Sequence, residues 1–93
     1  MSKACLFSLS QIVATPGALK ALESHGVQAS DLLRWHQSGD WGEIPREDVK
    51  ANQEALKQGA RLLSSYPLGG GVKLWIITEA DRSVTTLLLP SEY

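Results

Sequence analysis

The last third of the chain consists of three short apolar segments separated by turn sequences, and this feature most restricts the fold. The segments are Leu62–Leu68, Val72–Glu79 and Val84–Leu89. Gly69-Gly70-Gly71 separates the first two, and Ala80-Asp81-Arg82-Ser83 separates the last two. Such short connections join antiparallel neighbours, because a parallel crossover needs about a dozen residues or more. The sequence therefore predicts a three-stranded antiparallel meander.

The sequence before the meander has helical spacing, and its first helix has clear ends. Thr15 followed by Pro16 is typical of a helix start, because threonine caps free N–H groups and proline suits the first helical position. Leu19 and Leu22 are predicted to form the apolar stripe of this helix. Gly26 can end it in the left-handed conformation.

Two more helices are predicted before the meander. Ser30 is expected to cap the second helix, which runs to about Gln37. Pro45 opens the third, with Glu47 and Asp48 near its positive end, where the helix dipole favours carboxylates. The face of this third helix that packs inward is predicted to hold Val49, Asn52, Leu56 and Ala60.

The N-terminal stretch Ala4–Val13 is expected to be a strand, since its apolar residues nearly alternate with polar ones. The predicted element order is therefore β-α-α-α-β-β-β. Because no repeat, low-complexity tract or long linker divides the chain, residues 1–93 are expected to form a single α+β domain.

Composition excludes several classes of protein. Apolar residues make up 43% and charged residues 20% of the 93 positions, as in an ordinary globular domain. The net charge of −1 argues against a general nucleic-acid binder, which needs a basic surface. No apolar run reaches the roughly 18 residues that span a bilayer, and the N-terminus does not resemble a secretory signal. We therefore expect a cytoplasmic protein without membrane contact.

The cysteine and histidine content argues against disulfide and metal chemistry. Cys5 is the only cysteine, and its apolar neighbours predict a small buried side chain. His25 is expected to lie at a helix end. His36 is expected to pack in the core, and a general base is the alternative, because a histidine pKa lies near neutrality. Since the histidines lack partners at ligand spacing, no metal or other cofactor is predicted.

The last hairpin is predicted to be apolar on both faces. With Glu79 opposite Val84, one face holds Leu74, Ile76, Thr78, Thr85, Leu87 and Leu89. The other face holds Trp75, Ile77, Val84, Thr86 and Leu88. Three short helices can hardly cover both faces, so we expect a homodimer partner or another protein to cover the Trp75/Ile77/Val84/Leu88 face. The alternative is that the N-terminal segment folds across it.

The turn between these two strands brings polar residues to one end of the sheet. An ordinary turn explains them, because Asp81 can accept backbone hydrogen bonds and Arg82 can pair with Glu79 or Asp81. The alternative is an anion site, with Arg82 and Arg61 offering planar donors to a phosphate or carboxylate. Tryptophans could also anchor a protein partner. The candidate binding residues are Trp41, Trp75, Asp81, Arg82 and Thr85.

The segment from Asp40 to Glu54 is acidic. Its five carboxylates stand against two basic residues, which gives a local charge of −3. A solvated helix face is the simplest interpretation, and imitation of nucleic acid toward a basic protein is the alternative. Asn52, within this segment, is expected to hydrogen-bond the Ser38–Trp41 loop rather than to act in catalysis.

Several stretches together resemble a known family. They are Val13–Ala18, Gly39–Gly42, Arg61–Tyr66, Trp75–Ser83, Thr85-Thr86 and Leu89–Tyr93. The chain is similar over nearly its whole length to small bacterial proteins found on plasmids and integrated elements, often labelled as the M subunit of a type I restriction endonuclease. The resemblance implies an accessory protein related to restriction or defence systems. It does not imply a methyltransferase, because the glycine-rich cofactor loop and the Asn-Pro-Pro-Phe/Tyr motif are missing.

The predicted topology also resembles that of RelE/ParE-type toxins and barnase-like ribonucleases. Such enzymes use His, Arg, Glu or Tyr side chains from the sheet to move protons and stabilise developing charge. The resemblance implies a set of catalytic candidates, which are His36, Arg61, Tyr66, Glu79 and Arg82.

The sequence is therefore consistent with two functions. The leading hypothesis is a non-enzymatic, protein-binding accessory module of a mobile element that acts as a homodimer. The alternative is a small ribonuclease of the toxin type. Nucleic-acid binding is not favoured, because the chain is slightly acidic.

Overall fold

A four-stranded sheet makes up the fold, with two helices packed against one face and a third helix beside one edge. The computed structural model describes residues 5–93 of the chain. The helices and strands are β1 (Gln11–Ala14), α1 (Pro16–His25), α2 (Ala29–Gln37), α3 (Arg46–Gln58), β2 (Leu62–Gly69), β3 (Val72–Thr78), β4 (Val84–Leu88) and a final 3-10 helix, Pro90–Glu92. The predicted α+β class and element order are confirmed.

The sheet is mixed, with the strand order β1-β4-β3-β2. The pairs β2–β3 and β3–β4 are antiparallel, which confirms the predicted meander. Thr78 lies opposite Thr85, and the Glu79 N–H donates to the Val84 carbonyl at 3.0 Å, so the predicted hairpin register is correct. β1 pairs with β4 in parallel, since the long path through three helices lets the chain re-enter the sheet in either direction.

The first strand is much shorter than expected. It covers Gln11–Ala14 only, so the prediction of a strand over Ala4–Val13 is wrong for residues 5–10, and Ala4 lies outside the described residues. Ser10 has a φ of 53°, which breaks the extended run. Ahead of it, the Leu6 N–H donates to the Gln37 carbonyl at 2.9 Å, so this segment pairs with the end of α2 rather than with the sheet.

The ends of α1 agree with the sequence. The Thr15 hydroxyl accepts a hydrogen bond from the Ala18 N–H at 3.1 Å, and Gly26 ends the helix with a φ of 64°. The predicted apolar stripe is half wrong. Leu22 is buried but Leu19 is 55% exposed, because Ala18 is the residue one turn before Leu22 that faces the sheet.

The other helices begin near the predicted positions. Gln28, not Ser30, precedes α2, whose first helical residue is Ala29. Pro45 stands before α3 as expected, with Glu47 and Asp48 in its first turn. The inward face of α3 holds the buried Asn52 and Ala55 with the half-buried Val49 and Leu56. The prediction is wrong for Ala60, which lies beyond the helix and is exposed.

The face of the sheet under the helices forms the core and is called the helical face here. Its buried side chains are Leu62, Ser64, Tyr66, Leu74, Ile76, Thr78, Thr85 and Leu87. Ala18, Leu22 and Leu32 pack against it. Cys5 is exposed, so the prediction of a buried cysteine is wrong; it stands before the segment that reaches the core through Phe7.

The opposite face of the sheet, called the second face here, holds Leu63, Ser65, Trp75, Ile77, Thr86 and Leu88. Ile77 and Leu88 are buried within the chain, while Trp75 and Val84 are half-buried. The C-terminal segment reaches this face, where the Tyr93 ring packs edge-on against Trp75 with 5.7 Å between centroids. Among the described N-terminal residues, Phe7 packs in the core beside Trp41 and thus not on the second face.

Candidate functional site

A chain of hydrogen bonds crosses the core from α2 to three strands. His36 Nδ1 lies 2.5 Å from the Ser64 hydroxyl, and its Nε2 lies 2.9 Å from the Thr78 hydroxyl. The Thr78 and Thr85 hydroxyls are 2.9 Å apart, and the Thr85 hydroxyl donates to the Leu9 carbonyl at 2.9 Å. All four side chains are fully buried. The network therefore joins helix, meander and N-terminal segment inside the fold.

Burial, with a smaller effect from the Arg82 charge, lowers the pKa of His36 from 6.5 to about 4. The ring is therefore neutral near pH 7, with one nitrogen donating and the other accepting. A Ser–His pair resembles a nucleophile and its base, but both side chains have no contact with solvent. The geometry agrees with a packing histidine.

The five residues of the ribonuclease hypothesis are not gathered around one open site. His36 and Tyr66 are buried on the helical face. Arg61 is on the other side of the sheet, where its guanidinium donates to the Tyr93 hydroxyl and lies 5.4 Å from the ring centroid. Glu79 is exposed beside the hairpin turn.

Tyr66 is held by a specific hydrogen bond. Its hydroxyl donates to the Asp40 carbonyl at 2.5 Å, and Trp35 packs against its ring with 5.8 Å between centroids. Burial raises the pKa of Tyr66 well above its usual range. The phenol therefore stays protonated as a donor that fixes the loop before α3.

Arg82 connects the hairpin turn to the end of α3. Its guanidinium donates to four carbonyl oxygens, which belong to Ala55 (3.0 Å), Ala60 (2.6 Å), Glu79 (3.1 Å) and Ala80 (3.1 Å). A cation at the C-terminus of a helix also interacts favourably with the helix dipole. With its donors used in this way, Arg82 acts as a clamp within the chain.

Asp81 takes part in the turn itself. Its carboxylate accepts hydrogen bonds from the Ser83 N–H at 3.0 Å and from the Ser83 hydroxyl at 2.6 Å. These hydrogen bonds lower the pKa of Asp81. The arrangement matches the structural interpretation of the turn, in which a short polar side chain replaces missing backbone partners.

The remaining predicted binding residues are in different environments. Thr85 is fully buried in the hydrogen-bond network. Trp41 is buried beside Phe7 and His36. Its ring centroid lies 6.3 Å from that of Phe7 and 5.6 Å from that of His36. Only Trp75 keeps part of its surface exposed on the second face.

Trp75 lines an open cleft of about 320 Å³ between the second face and the start of α3. The apolar part of the lining is formed by Ile44, Pro45, Leu63, Trp75 and Pro90. The polar part is formed by Glu43, Asp48, Ser65 and Lys73. This cleft combines apolar surface with charged groups at its rim, which is the usual composition of a binding site.

A close backbone approach creates the cleft. The Ser65 N–H donates to the Trp41 carbonyl at 3.0 Å, and its carbonyl accepts from the Glu43 N–H at 2.7 Å. Gly42 lies between these residues with a φ of 75°, and a Cβ there would collide with the Ser65 carbonyl oxygen. Sequence reasoning missed the residues Glu43–Pro45. Gly42 was the available signal, since an isolated glycine can mark a close backbone contact.

Asn52 does not hold the loop that was predicted for it. Its side-chain amide donates to the Leu63 carbonyl at 2.7 Å and accepts from the Leu63 N–H at 3.1 Å. The amide therefore pairs with the edge of β2 as a neighbouring strand would.

Residues 5–93 contain no group of three His, Cys, Asp or Glu side chains that could hold a metal ion. No helix in this range is long and apolar enough to cross a membrane.

No protein-family model matches the chain, and neither curated proteins nor solved structures show a significant similarity to it.

Proposed function

We propose that this chain is a non-enzymatic protein-binding module whose cleft beside Trp75 takes a short segment of a partner protein. The observation that carries the proposal is the cleft itself, which combines an incompletely covered tryptophan with an acidic rim. The polar groups on the helical face, in contrast, are buried and bonded to one another.

The size and lining of the cleft suit one or two side chains. At about 320 Å³ it lies at the lower end of the range for small binding pockets. Trp75 and Leu63 line the cleft from the sheet, Pro45 lines it from the start of α3, and Pro90 from the C-terminal 3-10 helix. Proline and tryptophan lose little conformational freedom on binding, so this surface is suited to hold an apolar anchor of the partner.

The charged residues that line the cleft indicate a second feature of the ligand, next to its apolar anchor. Of the charged residues that line the cleft, Glu43 and Asp48 are acidic and Lys73 is basic, so the lining carries a net charge of −1. A basic side chain next to the apolar anchor would complement this rim. The proposed ligand is therefore a peptide segment with an apolar residue beside Lys or Arg.

The resemblance to plasmid-borne bacterial proteins suggests where such a segment occurs. Proteins that process or restrict DNA carry basic surfaces to bind phosphates. The acidic Asp40–Glu54 segment would attract them electrostatically before the cleft takes the anchor. The chain would then act as an accessory protein of a mobile element.

A displayed library of random peptides tests this proposal without knowledge of the partner. The wild-type chain is expected to enrich sequences with an apolar residue next to Lys or Arg. Glu43→Lys is expected to weaken the selected peptides about tenfold, because it reverses a charge at the rim.

Glu54→Lys is the matched control, since it makes the same change in net charge at an exposed position of α3 that does not line the cleft. The proposal fails if no peptide is enriched, or if the two charge reversals weaken binding equally. Equal weakening would show that only the overall charge of the segment matters.

A further inference from the structure

The outer edge of β1 pairs with no other described residue. β1 is the terminal strand of the sheet, next to β4 alone. The Gln11 N–H donates to Ser83 and the Thr15 N–H to Leu87, so odd-numbered residues point their backbone groups toward β4. Ile12 and Ala14 therefore point their N–H and C=O groups outward, and within residues 5–93 no backbone partner meets them.

The side chains of β1 are also open. Ile12 is 47% exposed and Val13 is 38% exposed, although both are β-branched residues that favour strands. Gln11–Ala14 contains no charge, proline or bulge. These are the devices that natural proteins commonly use to prevent an edge strand from pairing.

The opposite edge of the sheet is protected from pairing at three successive outward positions of β2. Asn52 bonds both backbone groups of Leu63, and the Trp41–Glu43 backbone bonds both groups of Ser65. The next outward residue, Pro67, has no N–H to donate. Within residues 5–93, the outward backbone groups of Leu63 and Ser65 on β2 are therefore paired, whereas those of Ile12 and Ala14 on β1 are not.

We infer that β1 pairs antiparallel with β1 of a second copy of this chain, forming a homodimer with a continuous eight-stranded sheet. This inference is independent of the proposed ligand of the cleft. It rests on the outward groups of Ile12 and Ala14 and on the exposed side chains beside them.

The strand is self-complementary in one register. If Ile12 lies opposite Ala14 of the second copy, these two residues exchange two backbone hydrogen bonds, and by symmetry Ala14 and Ile12 of the second copy do the same. The N–H and C=O groups of Ile12 and Ala14 are then all paired in both copies. Val13 then faces Val13 of the second copy at the two-fold axis, on the second face of the sheet. A register centred on Ile12 would need Ser10, whose φ of 53° removes it from the extended strand.

The dimer would place both Trp75 clefts on the same side of the joined sheet, because a two-fold axis perpendicular to a sheet keeps its faces in common. A partner with two binding segments could then engage both copies at once.

Charge placed at Val13 tests both dimerisation and register. Sedimentation velocity over a concentration series is expected to show a monomer–dimer equilibrium for the wild type. Val13→Lys alone and Val13→Glu alone are each expected to weaken it about tenfold, since two apolar side chains are lost and like charges meet. An equal mixture of the two variants is expected to restore the dimer, because opposite charges then face each other.

A backbone test is independent of side-chain charge. Ile12→Pro removes an outward N–H that the β4 ladder does not use, and it is expected to abolish the dimer while circular dichroism shows a folded chain. Ile12→Thr keeps the N–H and is expected to keep the dimer. A wild type that stays monomeric at every concentration overturns the inference. It is also overturned by a dimer that both Ile12→Pro and the Val13 charges leave intact, or by a Lys/Glu mixture that pairs no better than either variant alone.

Discussion

The two faces of the sheet place their polar residues in different environments. On the helical face, a histidine, a serine and two threonines are fully buried and bonded to each other. On the second face, Trp75 and the charged residues around it keep contact with solvent. The histidine, serine and threonines, which are common catalytic residue types, therefore stabilise the fold. The Glu43–Pro45 stretch lines the open cleft beside Trp75. Substitutions on the helical face should change stability, and those on the second face should change binding.

The largest effect is expected from His36→Ala. The substitution leaves a cavity and removes the shared partner of the Ser64 and Thr78 hydroxyls, so the free energy of unfolding should fall by about 3 kcal/mol. Urea denaturation followed by circular dichroism measures this change. His25→Ala is the control, because His25 is exposed at the end of α1 and its loss should cost less than about 0.5 kcal/mol. Equal losses would show that the network is not a centre of stability.

The pH dependence of stability should have the same origin. The unfolded chain takes up a proton at His36 below pH 6.5, but the folded chain does so only near pH 4. The neutral His36 ring therefore makes its full contribution to the free energy of unfolding above pH 6.5. This contribution, on the order of 3 kcal/mol, is lost as the pH falls to about 4. Denaturation curves at several pH values check this prediction. His36→Gln should lack this part of the acid destabilisation, and an unchanged pH profile in that variant would assign the effect to other groups.

Arg82→Ala should have an intermediate effect. It removes hydrogen bonds to four carbonyl oxygens at the turn and the end of α3, so we expect a loss of about 2 kcal/mol. Arg34→Ala is the matched control, since Arg34 makes only a surface ion pair with Asp31 and should contribute less than about 0.5 kcal/mol. If the Arg82 variant were as stable as the Arg34 variant, the clamp would have no energetic role, and the arginine would be free to serve as an anion site.

The smallest change in stability is expected on the second face. Tyr93 is 67% exposed, so Tyr93→Ala should cost less than about 0.5 kcal/mol. The same substitution uncovers Trp75 and should shift its indole N–H resonance in an NMR spectrum while leaving that of buried Trp41 in place. A large loss of stability would show that the C-terminal segment belongs to the core and that the two faces do not differ as described.

The features that could be predicted from the sequence are local ones. Three consecutive glycines and the Ala80–Ser83 turn predicted the meander, because short connections leave neighbouring strands few alternatives. Thr15 and Gly26 predicted both ends of α1 through the chemistry of their own side chains. Alternation within β3 and β4 predicted which residues share a face, since successive side chains of a strand point to opposite sides.

The features that could not be predicted depend on contacts distant in sequence. Ser64, Thr78 and Thr85 were visible as residues on one face, but nothing in the sequence shows that α2 places His36 above them. The cleft depends on Gly42 meeting Ser65, which are far apart in the chain. The prediction of a long first strand failed for a related reason, because the backbone of Leu6 found its partner at Gln37.

The histidine, serine and threonines of the helical face hold the fold together in a neutral, closed network. A pH titration of the ¹⁵N-labelled His36 ring by NMR tests it most directly, because the nitrogen shifts report protonation and tautomer. We expect a neutral ring of one tautomer from neutral pH down to about 4, with the ring protonating only near that value. A ring that titrates near 6.5 in the folded protein would contradict the claim, because it would show a histidine that exchanges protons with solvent.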